Sequence, residues 1–283
     1  MIAAPLAASL GGNAPLTASG ATPNFANLPT GTVFPLNQSN LMSDPMERTV
    51  TGFTYASGAT LTFLGNKQVS GVNVGTFEFK FANDDITLTG DGSAATIANS
   101  GNTQIGLTTS NLNYTLLATW VIPTNNGLNV TDLGMGVGGF QTPASGVPTS
   151  GTATYLGNGG VTGTVVTAVG TTTVNGDATV TVNFGAGSFT GALTNMNVAT
   201  AAGPAPWNGV NLSGSLSGAT LSGSTAATSA PSGGVLTFGT AATGTFNGAL
   251  YGPGGQELGA VWSLHDTAGG GSSALGLIGA TKQ

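Results

Sequence analysis

Between Gly244 and Gln283 apolar and polar residues alternate in three short runs, and little but an antiparallel sheet suits such a pattern. In the first run, Thr245 to Tyr251, Phe246, Gly248 and Leu250 share one face and Thr245, Asn247, Ala249 and Tyr251 the other. Gly252-Pro253-Gly254-Gly255 then breaks the run, because proline has no N–H for a ladder and glycine takes positive φ at little steric cost. Alternation resumes from Gln256 to Leu264, with Leu258, Ala260, Trp262 and Leu264 together. The segment Thr267 to Ser273 reads as a loop and Ala274 to Ala280 as a last strand. A chain that finishes this way is completing a closed or nearly closed sheet, since a final strand left unpaired exposes an edge.

The rest of the chain agrees with an all-β class. Only 5% of its 283 residues are charged, against about 25% in ordinary globular proteins, and 48 are glycine. An apolar fraction of 40%, rich in Val and Phe, separates it from disordered chains of high net charge. Four basic residues, Arg48, Lys67, Lys80 and Lys282, give no electrostatic footprint for nucleic acid. With no cysteine there is no disulfide, thiolate metal site or thiol nucleophile. The composition suits a protein exported by a bacterium. No run reaches the roughly 18 apolar residues of a membrane helix.

The expected organisation has three parts. Residues 1–31, with Pro5, Pro15, Pro23 and Pro29, read as an extended arm whose first twelve residues make a poor export signal as they stand. Residues 32–147 read as a β-rich domain: a loose alternation from Arg48 to Phe63 folded at Ser57-Gly58, a strand carrying Phe77, Phe79 and Phe81, turns at Asn83-Asp84-Asp85 and Asp91-Gly92, and an apolar strand from Asn113 to Ile122 ended by Pro123. Six of the ten acids fall in the first 91 residues, and that charge shift, with Pro143 and Pro148, sets the boundary. Residues 148–283 read as eight or nine strands, enough for one barrel that is either filled by side chains or holds one small ligand. Within it Gly157 to Gly160 and Asn175-Gly176-Asp177 read as turns, Ala178 to Phe184 as a strand, and Val235 to Phe238 as another.

This second half resembles a known family. The residues that carry the resemblance are Pro148 to Tyr155, Val180 to Phe184, Phe246, Gly248, Tyr251-Gly252-Pro253, Glu257, Gly259 and the closing Ile278-Gly279-Ala280-Thr281-Lys282-Gln283. The ordered string G-x-F-x-G-x-x-Y-G-P-x-x-x-E-x-G is similar to the C-terminal β-barrel of the transferrin-binding protein B family and of related solute-binding barrels, including haemophore-like proteins exported through the Slam outer-membrane system. The resemblance implies a β-rich handle before the barrel, which residues 32–147 would supply, and an outer-membrane export machinery as a partner. Ala260 departs from a second glycine common in the family. The family's lipid anchor on an N-terminal cysteine is not expected here, so a secreted or outer-membrane-surface location without that anchor is. The long charged loops that would grip transferrin are also missing from the pattern.

Two residues stand out as candidate ligand contacts. His265 can ligate haem iron, which the resemblance makes worth stating, although a lone His at a turn is more often hydrogen-bonded or solvated. Trp207 could stack on a ligand at a barrel mouth, although core or loop packing is the commoner use of such a ring. Glu257 reads as a strand-edge or turn-bonding acid. Asp84, Asp85 and Asp91 lack the spacing of a calcium loop, no G-x-S-x-G elbow is present, and no pair of carboxylates is placed for glycoside hydrolysis. The expected function is non-catalytic capture of a small solute, haem among them, or of a host protein. The alternative is a structural or adhesive factor that uses the barrel as an export-competent module.

Overall fold

A computed structural model describes residue 31, ten strands between residues 33 and 139, and residues 112–114, 140–167, 170–267 and 272–283. Apart from Gly31 the expected arm lies outside the described residues, as do Ser57-Gly58 and Asp91-Gly92. The ten strands are β1 (Val33–Pro35), β2 (Asn37–Asp44), β3 (Thr49–Thr54), β4 (Thr60–Val69), β5 (Val72–Phe81), β6 (Asp84–Thr89), β7 (Thr96–Ser100), β8 (Thr103–Thr108), β9 (Thr115–Thr124) and β10 (Val130–Gly139). They form a four-stranded sheet, β1-β4-β5-β6, and a six-stranded sheet, β3-β2-β10-β9-β8-β7.

Three sequence expectations fail here. β3 pairs with β2 whereas β4 pairs with β1 and β5, so residues 48–63 do not make a hairpin. Alternation identifies strands but does not choose their partners. Asp84 and Asp85 are not turn residues; they open β6, opposite Phe81 and Lys80. Pro123 does not end β9 but lies within it, opposite Thr131 of β10. On its other side β9 meets β8 only as far as Val121, so the missing proline N–H breaks no ladder there.

The second half is a closed barrel. Its strands are β11 (Thr152–Thr167), β12 (Gly170–Asn183), β13 (Ser188–Val198), the two-residue β14 (Ala205–Pro206), β15 (Val210–Ser217), β16 (Thr220–Ala227), β17 (Thr243–Tyr251), β18 (Glu257–Asp266) and β19 (Ser272–Lys282). Eight of them run antiparallel in the order β11-β12-β13-β15-β16-β17-β18-β19, and β19 pairs with β11 to close the ring. β14 is a ninth, short strand on the end of β13. β17, β18 and β19 are the three strands expected from residues 244–283.

Gly157 to Gly160 is a bulge within the sixteen-residue β11 and not a turn. Pairing with β12 passes from Gly157↔Ala178 to Val161↔Gly176, and pairing with β19 from Leu156↔Thr281 to Val161↔Ile278, so β11 carries two extra residues against both neighbours. An even insertion keeps parity, and Ala153, Tyr155, Val161 and Val165 all face the core. Gly159 adopts φ +63°, and its N–H donates to Asp177 Oδ1 at 2.6 Å. Asn175 to Asp177, also expected as a turn, is continuous strand with a register shift against β13. A Cβ on Gly160 would lie 2.2 Å from Gly279 O and 2.8 Å from the Gly157 Cα, both backbone atoms that cannot swing aside. Gly160→Ala is therefore expected to cost about 1–3 kcal/mol, in the range of overpacked sites, while Ala at the exposed Asn158 stays within about 0.5 kcal/mol. Urea unfolding checks this, and equal midpoints for the two variants would refute it.

The barrel is filled. Trp262, Tyr155 and Phe246 are its largest fully buried side chains, with Phe189 and Phe246 rings 4.8 Å apart and Trp207 and Trp262 6.4 Å apart. At one end the segment between β16 and β17 turns inward. Val235 to Phe238, expected as a strand, has no ladder partner, and Pro231, Gly233, Gly234 and Gly239 surround it. Phe238 instead plugs the barrel edge-on to Trp207, centroids 5.1 Å apart. Buried Asn208 replaces the ladder: its Oδ1 accepts from Phe238 N at 2.7 Å, and its Nδ2 donates to Phe238 O and Thr228 O. At the other end Tyr155 OH donates to Gly255 O at 2.8 Å, and burial pushes the phenol up to about 12.

Candidate functional site

Tyr251, Gly252, Glu257 and Gly259 of the sequence string converge on the seam between the barrel and the six-stranded N-terminal sheet. Every residue of β18 is buried except His265, which is half-buried. Leu258, Ala260, Trp262 and Leu264 face the barrel core, as their alternation predicts. The opposite face is not solvated, because Val261 joins Ala249, Tyr251, Leu275 and Leu277 in a second cluster with Leu117 of β9 and with Met135 and Val137 of β10.

Glu257 fastens this seam. It is 2% exposed, so the strand-edge reading gives way to a buried acid. Its Oε1 accepts from Asn113 N at 2.6 Å, and its Oε2 accepts from Tyr114 N at 3.0 Å and Thr115 Oγ1 at 2.9 Å. Burial raises its pKa above the ordinary value, and these hydrogen bonds offset part of that rise. Two residues along the same face lies Gly259, paired with Gly279 of β19. A Cβ on Gly259 would sit 2.5 Å from Val137 Cγ2 and 2.6 Å from Thr115 Cγ2, and one on Gly279 would sit 2.8 Å from Leu112 Cδ1. The glycine pair is a flat seat for the six-stranded N-terminal sheet.

Tyr251 and Gly252 continue the seat. Gly252 N donates to Phe140 O and Thr142 N to Leu250 O, and Tyr251 bridges Gln141. Gly252 stands against the Tyr114 ring. Pro253 is exposed in the turn, with its carbonyl beside Gly146. Phe246 faces the core, while Gly248 packs against Ala260.

The two candidate ligand contacts are not brought together with this seat. Trp207 is 2% exposed inside the barrel, and its Nε1 donates to Leu236 O at 2.9 Å. His265 is half-buried near the far end of β18, with Nδ1 2.8 Å from Ser273 Oγ. Among the described residues no three of His, Asp and Glu gather as a metal site. Sequence reasoning missed Asn208, one amide among many in an Asn-rich chain. A signal did exist for Glu257, the sole acid between residues 178 and 265, set at the head of the apolar run Leu258 to Trp262.

The β11 bulge opens a cleft of about 480 Å³ on the outside of the barrel. Leu156 to Gly160, Gly279 to Thr281, Gln283 and Leu112 line it. Asp177 holds the bulge from the β12 side, taking the Gly159 N–H on one oxygen and Asn195 Nδ2 on the other, at 2.7 Å, and both bonds lower its pKa. Gln283 is fixed by N to Thr154 O at 3.0 Å and by Nε2 to Thr281 O at 3.1 Å.

Comparison with known proteins agrees with this geometry. Residues 147–282 match the family model of the C-lobe and N-lobe beta barrels of Tf-binding protein B. Among solved structures, a double mutant of transferrin-binding protein B from Haemophilus parasuis Hp5 superposes with a TM-score of 0.56 at 16% identity, over 88% of this chain and 45% of that one. The isotype 1 transferrin-binding protein B from serogroup B Neisseria meningitidis gives 0.50 at 17% identity, over 87% and 43%. At such identities the likeness is one of fold, and the chain spans less than half the length of either structure. No curated protein matches the sequence. Residues 147–282 are thus similar, as a β-barrel, to the transferrin-binding protein B family.

Proposed function

We propose that this chain is a non-catalytic binding protein of the bacterial exterior, secreted or held at the outer-membrane surface, that captures a host protein on its outer face. The observation that carries this reading is the filled barrel, plugged by Phe238 at one end and tied by Tyr155 to the Gly252–Gly255 turn at the other. Among the described residues the eight-stranded barrel is packed with side chains and leaves no room for a solute, so recognition falls to its outside and to the N-terminal sheets. The transferrin-binding proteins of similar fold support a protein partner. A sparsely charged chain favours one gripped by shape and neutral hydrogen bonds over one gripped by ion pairs. No helix among the described residues is long and apolar enough to cross a membrane.

Surface plasmon resonance on the immobilised full chain, with transferrin and lactoferrin as analytes, tests the reading, alongside native mass spectrometry of the same preparation. Saturable binding of a protein analyte and a bare chain mass near 27.4 kDa are expected. A stoichiometric small molecule retained in the chain, with neither protein bound, would overturn it.

A further inference from the structure

The cleft at the β11 bulge is a binding site for a neutral saccharide, we infer. This deepens the reading above and rests on it, since it assigns a ligand chemistry to the barrel's outside. The cleft's volume, about 480 Å³, falls within the roughly 300–1,000 Å³ of small-molecule sites. None of its lining side chains carries a charge. Lys282, between two lining residues, turns its ammonium over the Phe184 ring, 6.0 Å from the centroid. Asp177 is already engaged by Gly159 and Asn195. The lining side chains offer a charged ligand no counter-charge, and burying a charge unpaired is costly.

An apolar ligand fits no better. Asn158, Thr281 and Gln283 offer amides and a hydroxyl, groups that both donate and accept, and the glycine backbone of the bulge adds more. Asn158 to Gly160 have no ladder partner on either side, and Gly279 and Ala280 have none on β11. An apolar occupant would cover these polar groups without hydrogen-bonding them. A ligand dense in hydroxyls satisfies donors and acceptors together, and a sugar's C–H faces suit the Leu112 and Leu156 side chains.

The site is built in advance. The Asp177 carboxylate fixes the bulge, the Gly279 carbonyl packs under both Gly157 and Gly160, and Gln283 is tied to Thr154. Little ordering is left for a ligand to supply, which lowers the cost of binding.

The uncharged rows on the barrel's outer face start beside this cleft. Thr154, Thr181, Thr190, Ser213, Ser224 and Thr245 are successive partners across six strands. A longer neutral glycan leaving the cleft would meet hydroxyls on its way round the barrel. The ligand could therefore be a free oligosaccharide or part of a polysaccharide, and the two are separable by experiment.

The test is an amide-resolved NMR titration of the full chain with maltohexaose, cellohexaose and chitohexaose, with an acidic oligosaccharide, sialyllactose, as comparison. Co-sedimentation with insoluble cellulose and chitin forms the second arm. Saturable shifts confined to residues 156–160 and 279–283 are expected with at least one neutral hexamer. The exposed Thr281→Trp should fill the cleft and weaken binding at least tenfold, and Asn158→Ala should weaken it several-fold in a chain that stays folded. Sedimentation without hexamer binding would assign a polymer surface as the source, provided Thr281→Trp abolishes it. The inference is overturned if no neutral saccharide binds in either arm, if Thr281→Trp leaves binding unchanged, or if sialyllactose binds more tightly than the neutral hexamers. Transferrin or lactoferrin binding that survives Thr281→Trp while saccharides fail to bind would sink the cleft alone and leave the wider reading standing.

Discussion

Glu257→Gln is expected to loosen the six-stranded N-terminal sheet from the barrel while leaving the barrel closed, and to remove a pH dependence that follows from the burial of the acid. The carboxylate accepts from three donors on one short stretch, Asn113 N, Tyr114 N and Thr115 Oγ1. Glutamine has the same shape but only one acceptor oxygen, so whichever way the amide is turned its NH₂ confronts a donor. Leaving a buried donor unpaired costs about 1–3 kcal/mol, and the loss should fall in that range. The strands behind it are spared, because neighbouring Leu258 and Ala260 face the core while Glu257 faces the seam. Hydrogen exchange should show amides of β9 and β10 losing protection in the variant, with β12 and β13 unchanged.

The pH dependence has a definite sign. Burial raises the Glu257 pKa in the folded chain above its unfolded value, near 4.3 for a glutamate in water. Between those two values the folded state holds more protons than the unfolded state, so this group's contribution to stability falls as pH rises. Below the unfolded value both states are protonated and the penalty is absent; above the folded value it is fully present. Glutamine does not titrate, so the stability gap between native and variant should narrow as pH rises through this window. Urea midpoints for both proteins from pH 4 to pH 8 give the gap directly. A gap that is constant, or that widens with pH, rules out the account.

The same strand shows how much of this was legible in the chain. Alternation assigned Leu258, Ala260, Trp262 and Leu264 to the core, and they are there. It also assigned their neighbours to the opposite face, correctly, but period two cannot say whether that face meets water or another sheet. The cover comes from β9 and β10, more than a hundred residues away in sequence, and local spacing holds no record of it. Gly157 to Gly160 misled for a related reason. A glycine cluster marks a place where backbones approach or φ turns positive, and a wide bulge needs both just as a turn does. Val235 to Phe238 has the composition of a strand, yet Asn208 takes up the Phe238 amide before any strand could. Trp207 suggested a ligand platform on aromatic chemistry alone, and its place in the core follows from the closure of eight strands around it.

Gly259→Ala is expected to be strongly destabilising at a position where local preference points the other way. Gly259 lies inside a strand without positive φ, where alanine is ordinarily better than glycine by about 0.5–1 kcal/mol. Packing reverses the sign. The new methyl would lie 2.5 Å from Val137 Cγ2 and 2.6 Å from Thr115 Cγ2, and both neighbours are β-branched and stiff about χ1. To make room the N-terminal sheet must lift, which also stretches the Glu257 bonds next to it, so a loss of about 2–3 kcal/mol is expected, toward the upper end for overpacked sites. Gly279→Ala offers an internal comparison. Its methyl meets Leu112 Cδ1 at 2.8 Å and Leu117 Cδ1 at 3.3 Å, the far ends of side chains that can rotate, and its cost should be about 1 kcal/mol or less. A double-mutant cycle decides whether the clash is with the docked sheet or within the barrel. Val137→Ala alone opens a cavity and destabilises, but combined with Gly259→Ala it vacates the space the new methyl needs. The pair should be more stable than the sum of the single losses predicts, by more than about 1 kcal/mol. Strict additivity would mean that Gly259 is not the seat of the N-terminal sheet, and that its place in the family string has a cause inside the barrel.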